Sequence, residues 1–109
     1  MPIVTAISEG KRRKNRRNVY LDGAFSFACN VNVVAKFRLR VGLELSAEQL
    51  EKIKQGDVRQ ECFDAAMRFL QRRMHSRAEL KTKLARNEYS SDLIESVLDD
   101  LERLGYVND

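Results

Sequence analysis

Apolar and polar positions follow two different rhythms along the chain, and the change between them falls near its middle. Residues 3–8 alternate in character, and two short β-rich runs within residues 19–27 meet across Asp22-Gly23. Alternation with a period of two is typical of a strand that buries one face. An Asp-Gly pair supplies the positive φ angles that a type I′ hairpin turn requires. The pattern therefore predicts a small antiparallel sheet over residues 1–28.

Two helix starts follow the predicted sheet. Asn30 can cap a short helix, because its side chain can accept a hydrogen bond from the first turn. Ser46 and Gln49 have the spacing of a capping box, in which each side chain hydrogen-bonds the backbone of the other residue. We expect this second helix over about 47–55, where Gly56 stops it.

A helical period of three or four residues governs the rest of the chain, over residues 57–105. The first of its segments runs to about Met74, and the last carries an unbroken apolar stripe that Gly105 is placed to end. The predicted caps of the two later helices are Ser76 with Glu79, and Ser90 or Ser91. Three helices with such short connections can close around one core.

The predicted fold class is α+β and mostly α, with a small N-terminal antiparallel β-hairpin sheet followed by short helices and a three-helix unit. Residues 1–45 form a basic β-rich segment with a short helix, and residues 46–109 form a helical region that contains the three-helix repeat of residues 57–105. A chain of 109 residues is long enough for one ordinary core or two small subdomains.

Charge is distributed in blocks. Residues 1–45 carry nine Lys/Arg against three Asp/Glu, whereas residues 46–109 carry eleven against thirteen. Within the second part a basic stretch over 68–86 precedes an acidic stretch over 87–109. Such blocks create local potentials that steer association with charged partners, so they indicate a binding protein better than the net charge does.

The basic side chains are therefore the candidate binding residues. The run over 11–17 is predicted to be a solvated loop leading into the second strand, either a solubilising loop tip or a contact for a polyanion such as nucleic acid. Arginines one turn apart on the later helices suit bidentate contact with phosphate or carboxylate. The candidate residues for partner or nucleic-acid binding are Lys11, Arg12, Arg13, Lys14, Arg16, Arg17, Arg68, Arg72, Arg73, Arg77, Lys81 and Lys83.

Acidic and aromatic residues leave alternatives open. The last helix carries carboxylates three or four residues apart on the side opposite its apolar stripe, which predicts either a solvated face or an acidic docking face. These residues are Asp92, Glu95, Asp99 and Glu102. Tyrosines can stack on bases, but packing at strands and helix ends is the more frequent use of such residues; the three are Tyr20, Tyr89 and Tyr106.

No pattern points to catalysis, so we expect a non-enzyme with no catalytic residue, metal, cofactor or small-molecule substrate. His75, the single histidine, is predicted to lie at a junction between helices. The sequence contains no glycine-rich motif of the kind that binds phosphate. Cys29 and Cys62 lack metal-ligand spacing and are expected to be buried thiols. No apolar stretch approaches membrane-spanning length and the first residues do not resemble a secretory signal, so we expect a cytoplasmic protein without a membrane partner.

The stretch from Arg73 to Leu84, followed by an apolar series and Gly105-Tyr106-Val107-Asn108-Asp109, resembles the repeat of the bacterial RecX family of regulatory proteins. The basic run, followed by Val19-Tyr20-Leu21-Asp22-Gly23, resembles the leading segment of Gram-positive-type members. The chain thus resembles the N-terminal part of such a protein with its first three-helix repeat.

Two departures from the family pattern affect what is expected. The family usually has glycine where this chain has Glu88, so we expect the second helix of the repeat to end through a left-handed Asn87. Family members usually continue into further three-helix repeats, whereas this sequence stops at Asp109. It is therefore expected to be an N-terminal fragment or a short member.

The resemblance implies a regulator that binds the RecA recombinase and its filament on DNA. Such proteins inhibit the recombinase, ATPase and SOS co-protease activities of RecA, which places them in DNA repair and recombination. Weak non-specific contact with nucleic acid is expected beside the protein contact. The alternative is a DNA-binding helix-turn-helix transcription regulator within residues 57–105, although its third helix is acidic. A nucleotide-handling enzyme is a third hypothesis, which the lack of a phosphate cradle disfavours.

Overall fold

A computed structural model describes residues 1–108 and divides the chain into two compact units, Met1–Gln60 and a second that begins at Glu61. The elements of the first unit are β1 (Val4–Glu9), β2 (Arg16–Leu21), β3 (Ala24–Asn30), α1 (Val31–Lys36) and the start of α2 (Ala47–Arg72). The rest of α2 belongs to the second unit, with α3 (Arg77–Arg86) and α4 (Ser91–Arg103). No helix within the described residues is long and apolar enough to cross a membrane.

The N-terminal sheet is antiparallel with the strand order β1-β2-β3, as the alternating pattern predicts. Asp22 (φ 52°) and Gly23 (φ 85°) join β2 to β3, which confirms the predicted hairpin turn with two positive φ angles. One face of the sheet is buried. It packs on α1 and the start of α2 in a core formed by Val4, Val19, Cys29, Val33, Leu39, Leu45 and Ile53.

The predicted caps of the first unit are confirmed. The Asn30 side chain accepts a hydrogen bond from the Asn32 backbone N–H at 2.8 Å and starts α1. Ser46 and Gln49 exchange side chain to backbone hydrogen bonds of 2.7 and 3.1 Å at the start of α2. Each cap occupies backbone N–H groups that a helix start leaves without an intrahelical partner.

The predicted helix end at Gly56 is wrong, because α2 continues through this residue to Arg72. A β-carbon at position 56 would lie 3.0 Å from the Cε2 atom of Phe37. This distance is shorter than most contacts that β-carbons make in proteins. Glycine costs about 1 kcal/mol relative to alanine inside a helix. The residue thus makes room for an aromatic ring against the helix and does not end it.

The second unit forms one core from the end of α2, α3 and α4, in agreement with the predicted three-helix unit. Ser76 and Glu79 form the predicted capping box of α3, and Ser90 caps α4. After α4, Gly105 (φ 86°) ends the helix as predicted, and the Tyr106 N–H reaches back to the Leu101 carbonyl at 2.9 Å. The buried residues are Cys62, Ala65, Ala66, Leu80, Leu84, Ile94, Val97, Leu98, Leu101 and Val107.

The end of α3 differs from the prediction. Asn87 has an ordinary φ of −89°, and the left-handed residue is Glu88 with a φ of 67°. The left-handed residue is thus the position at which the family resemblance implies glycine, although the residue here is Glu88, which has a β-carbon. A left-handed L-residue other than glycine costs roughly 1–2 kcal/mol.

Glu88→Gly is therefore expected to stabilise the second unit by about 1 kcal/mol, because glycine adopts this backbone conformation without steric cost. Urea unfolding followed by circular dichroism measures the change. Glu88→Ala is the matched control, since it removes the same charge but keeps the β-carbon and should not stabilise the protein. An equal gain in both variants would attribute the effect to charge and contradict the backbone explanation.

Candidate binding surfaces

A short loop over residues 10–15 carries the first cluster of candidate cations. The Gly10 N–H donates to the Arg16 carbonyl at 3.0 Å, and the Arg16 N–H donates to the Arg13 carbonyl at 3.2 Å. These bonds fold the loop tightly between β1 and β2. The loop is thus shorter than the predicted loop over 11–17, because Arg16 and Arg17 already lie in β2.

The Arg16 side chain forms hydrogen bonds within the protein. Its Nη1 atom lies 2.9 and 3.2 Å from the two carboxylate oxygens of Asp57 on α2, and its Nη2 donates to the Ala28 carbonyl at 3.1 Å. The same carboxylate accepts the Asn30 backbone N–H at 2.8 Å. Burial, reinforced by the negative charge of Asp57, raises the pKa of the nearby Cys29 thiol from 9.0 to about 11. Arg16 therefore anchors the base of the loop and is only partly available to a ligand.

The remaining basic side chains of the run differ in exposure. Arg17, in β2, donates to the backbone carbonyls of Lys14 and Arg16 at 2.8 and 3.0 Å. The side chains of residues 11–14 are exposed. They border a shallow depression of about 340 Å³ lined by Gly10, Lys11, Arg12, Arg13, Arg16, Asn18 and Ala28.

The second cluster lies at the C-terminal end of α2. Arg68 and Arg72 are exposed and one turn apart, and no ion pair to either occurs within the described residues. Arg73, the next residue, instead pairs with Glu79 at 2.6 Å. This contact and the capping box hold the pKa of Glu79 at about 2, below its ordinary 4.5. Arg73 thus helps to fix the α2–α3 connection.

Arg77 is the centre of an ion-pair network that joins α3 to α4. Its guanidinium contacts Glu95 at 2.6 Å, Asp99 at 2.9 Å and Glu102 at 2.9 Å, and its side chain is 23% exposed. Lys81 adds a 2.8 Å contact to Glu95. Hydrogen bonds from Lys81 and Arg77 hold the pKa of Glu95 below its ordinary value.

This network adds internal partners to the acidic face of α4. Of its four carboxylates, three form ion pairs with cations of α3, although the Asp99 side chain remains 71% exposed. Only Asp92 lies outside the network. The carboxylates thus neutralise Arg77 and Lys81, and the two opposite charge blocks of this region largely satisfy each other.

Lys83 also has an internal partner. Its Nζ atom lies 2.7 Å from the Nε2 atom of His75 and 5.1 Å from the centroid of the Phe69 ring. The His75 Nδ1 atom lies 2.9 Å from the Arg73 carbonyl. Since an ammonium only donates and a carbonyl only accepts, the imidazole carries its proton on Nδ1. His75 is the helix-junction residue that the sequence predicts, and it also holds Lys83.

The structure thus sorts the twelve candidate residues into two groups. Six have partners within the protein, and Arg13 uses its carbonyl to close the loop. The exposed cations to which no ion pair occurs among the described residues form two separate sets in the two units. They are Lys11, Arg12 and Lys14, which form the loop set, and Arg68 and Arg72, which form the α2 set.

Within the described residues, the side chains differ from the clusters that bind metal ions. No group of three His, Cys, Asp or Glu side chains there is arranged to hold an ion. Cys29 and Cys62 are buried free thiols in different cores, as predicted. Phe25, which the sequence pattern placed only in a β-rich run beside the predicted turn, has a side chain that is 58% exposed.

Two family models match the chain. Residues 2–46 match the regulatory protein RecX N-terminal domain, and residues 62–101 match the first three-helix domain of RecX. The first match ends where α2 begins, and the second lies within the three-helix unit. The last residue of the family motif, Asp109, lies outside the described residues.

Full-length relatives and a solved structure agree with these matches. Regulatory protein RecX of Bacillus subtilis is 35% identical over 109 residues, which is all of this chain and 41% of the relative. The Lactobacillus gasseri protein of the same name is 35% identical over the whole chain and 40% of its own length. A crystal structure of regulatory protein RecX superposes with a TM-score of 0.88 at 26% identity, covering 99% of this chain and 53% of that one. The chain therefore spans about two fifths of the length of the two relatives and about half of the solved chain.

Proposed function

This chain belongs to the RecX family of regulatory proteins, and we propose that it binds the RecA recombinase and its filament on DNA. In this proposal the bound protein inhibits the recombinase, ATPase and co-protease activities of RecA, and so acts in DNA repair and the SOS response of the bacterial cytoplasm. It makes and breaks no covalent bond, and it uses no cofactor or small-molecule substrate.

The observation that carries this proposal is the pair of exposed arginines on α2. Arg68 and Arg72 lie one turn apart at the end of a long helix, where their guanidinium groups are not used by the fold. Arginine forms bidentate hydrogen bonds with carboxylate and phosphate groups. The pair therefore suits an acidic surface of a recombinase filament or the DNA backbone within it.

The remaining candidate residues contribute in different ways. The loop cations Lys11, Arg12 and Lys14 suit weak, non-specific contact with nucleic acid, which counterion release makes dependent on salt. Arg73, Arg77, Lys81 and Lys83 position the helices through internal partners. We therefore assign them a supporting role, with direct contact confined to the part of each side chain that remains exposed.

Reversing both α2 charges, as Arg68→Glu with Arg72→Glu, is expected to weaken binding to RecA–DNA filaments by about tenfold, because repulsion replaces attraction at a complementary surface. The free energy of unfolding should change little, within about 0.5 kcal/mol per substitution, since neither side chain packs in the core. Surface plasmon resonance on immobilised filaments measures the binding, and urea unfolding measures the stability.

The matched control is Lys52→Glu with Lys54→Glu, which makes the same change in charge on exposed positions of the same helix. It should bind filaments much as the parent does. The defect of the arginine variant should shrink as salt rises, because ions screen exposed charges. Equal weakening in both double variants would show that net charge, and not this surface, governs binding.

The match to the RecX three-helix domain favours this proposal over the helix-turn-helix transcription regulator. The network around Arg77 argues in the same direction, because a recognition helix needs side chains directed at base edges. The third helix is acidic, and two of the four cations of the second, Arg77 and Lys81, form ion pairs with it.

A further inference from the structure

The outer face of the N-terminal sheet carries two aromatic residues in contact. Tyr20 follows the buried Val19 in β2, so its side chain emerges on the opposite face. Phe25 pairs with Tyr20 across the hairpin, and the two ring centroids lie 5.8 Å apart with the planes at 79°. The Phe25 side chain is 58% exposed. An exposed aromatic ring, braced by a second ring, is thus displayed on this face.

Small and polar side chains surround the aromatic pair. Ala6 pairs with Tyr20, while Ser8 and Ala28 both pair with Asn18, which shares the outer face of β2 with Tyr20. None of these side chains is long enough to cover the aromatic rings. The face is therefore an open surface that a flat ligand can approach.

The basic depression adjoins this surface. Asn18 and Ala28 line the depression together with Lys11, Arg12 and Arg13, and Tyr20 lies two residues further along β2. Two residues of a strand span about 7 Å. Aromatic side chains and exposed cations therefore occupy neighbouring parts of one face within the first unit.

We propose that this face is a binding site for single-stranded nucleic acid, in which Phe25 stacks on an unpaired base and the loop cations contact the phosphates. Proteins that bind single strands combine a cationic track for the backbone with aromatic side chains on which bases stack. A duplex does not offer a free base face at this surface, because its bases are stacked on each other. The density of positive charge in the loop favours a nucleic acid over an apolar protein segment as the occupant.

This site deepens the nucleic-acid contact of the loop cations in the proposed function and rests on it, but it requires no recombinase. Its test accordingly uses the whole chain and a fluorescein-labelled oligo(dT) strand at low salt, without RecA. Phe25→Ala is expected to weaken binding at least about fivefold in fluorescence anisotropy, since stacking on one base contributes that much or more. Val41→Ala is the matched control, because Val41 is an exposed apolar residue of the same unit that is 65% exposed and lies outside the sheet.

Two further measurements separate stacking from charge and from folding. An abasic strand of the same length keeps the phosphates but lacks bases, so the parent and Phe25→Ala should bind it equally. Phe25→Trp keeps an aromatic ring and introduces the only tryptophan of the chain. Its emission should be quenched by oligo(dT) and not by the abasic strand.

Several outcomes would overturn the proposal. They are undetectable oligo(dT) binding by the parent, an equal affinity of Phe25→Ala and Val41→Ala, or the same loss on the abasic strand. A loss of RecA binding without any loss of oligo(dT) binding would assign the face to a protein partner instead. Failure of the filament experiment with the α2 arginines would leave these results unaffected, so the two proposals fail separately.

Discussion

Replacing Asp57 with alanine is expected to lower the free energy of unfolding of the first unit by about 3 kcal/mol. The side chains of Arg16 and Asp57 are only 19% and 16% exposed, so the substitution leaves a largely buried guanidinium without its counter-charge. It also removes the acceptor of the Asn30 N–H, at a residue that is 1% exposed. Loss of the counter-charge of a largely buried guanidinium and loss of the acceptor of a buried N–H both favour the unfolded chain.

Urea unfolding followed by circular dichroism measures the loss, and hydrogen exchange at the Asn30 amide reports it locally. Asp57→Asn should be milder, because the amide oxygen still accepts a hydrogen bond although the charge is gone. Glu51→Ala removes an exposed carboxylate from the same helix and should change stability by no more than about 0.5 kcal/mol. Unfolding of Asp57→Ala at the urea concentration of the parent would show that the Arg16 contact contributes nothing to the fold.

Replacing Arg77 with leucine is expected to destabilise the second unit by about 2 kcal/mol at neutral pH. The substitution removes three ion pairs at once and leaves Glu95, Asp99 and Glu102 to repel one another on α4. Lys81 can compensate for only one of these carboxylates. The effect thus exceeds that of a single exposed ion pair.

The loss should depend on pH in a defined direction. The folded protein holds the pKa of Glu95 below its ordinary 4.5, so the network stabilises the fold above about pH 4.5 and weakens as the pH falls further. The stability difference between the parent and Arg77→Leu should therefore shrink in acid. Arg103→Leu, which breaks only the pair with Asp100, is the matched control. A difference that stays constant from pH 7 to pH 3 would attribute the effect to packing and not to charge.

Arg77 and Arg72 illustrate a difference between basic residues that the charge pattern alone does not show. Both are arginines of the same basic block in the sequence, yet only one faces the acidic residues of α4. The partner of Arg77 lies 18 or more positions away along the chain, and its approach depends on how α3 packs against α4. A local charge count contains no information about that packing.

Local signals of the sequence determined most of the secondary structure. The Asp22-Gly23 turn, the capping boxes and the helix end at Gly105 each depend on interactions between residues a few positions apart. Alternation in β1 and the apolar stripe of α4 depend only on the regular period of each element. The resemblance to the RecX family also followed from local motifs, and the family matches agree with it.

The tertiary structure alone decided three features. Gly56 does not stop α2, because its lack of a β-carbon accommodates the ring of Phe37 from a distant part of the chain. Glu88 takes the left-handed position after α3, because the path of the backbone into α4 fixes that conformation against the preference of the side chain. Packing likewise selects which cations remain exposed, because an ion pair between distant residues forms only after the helices that carry them have packed together.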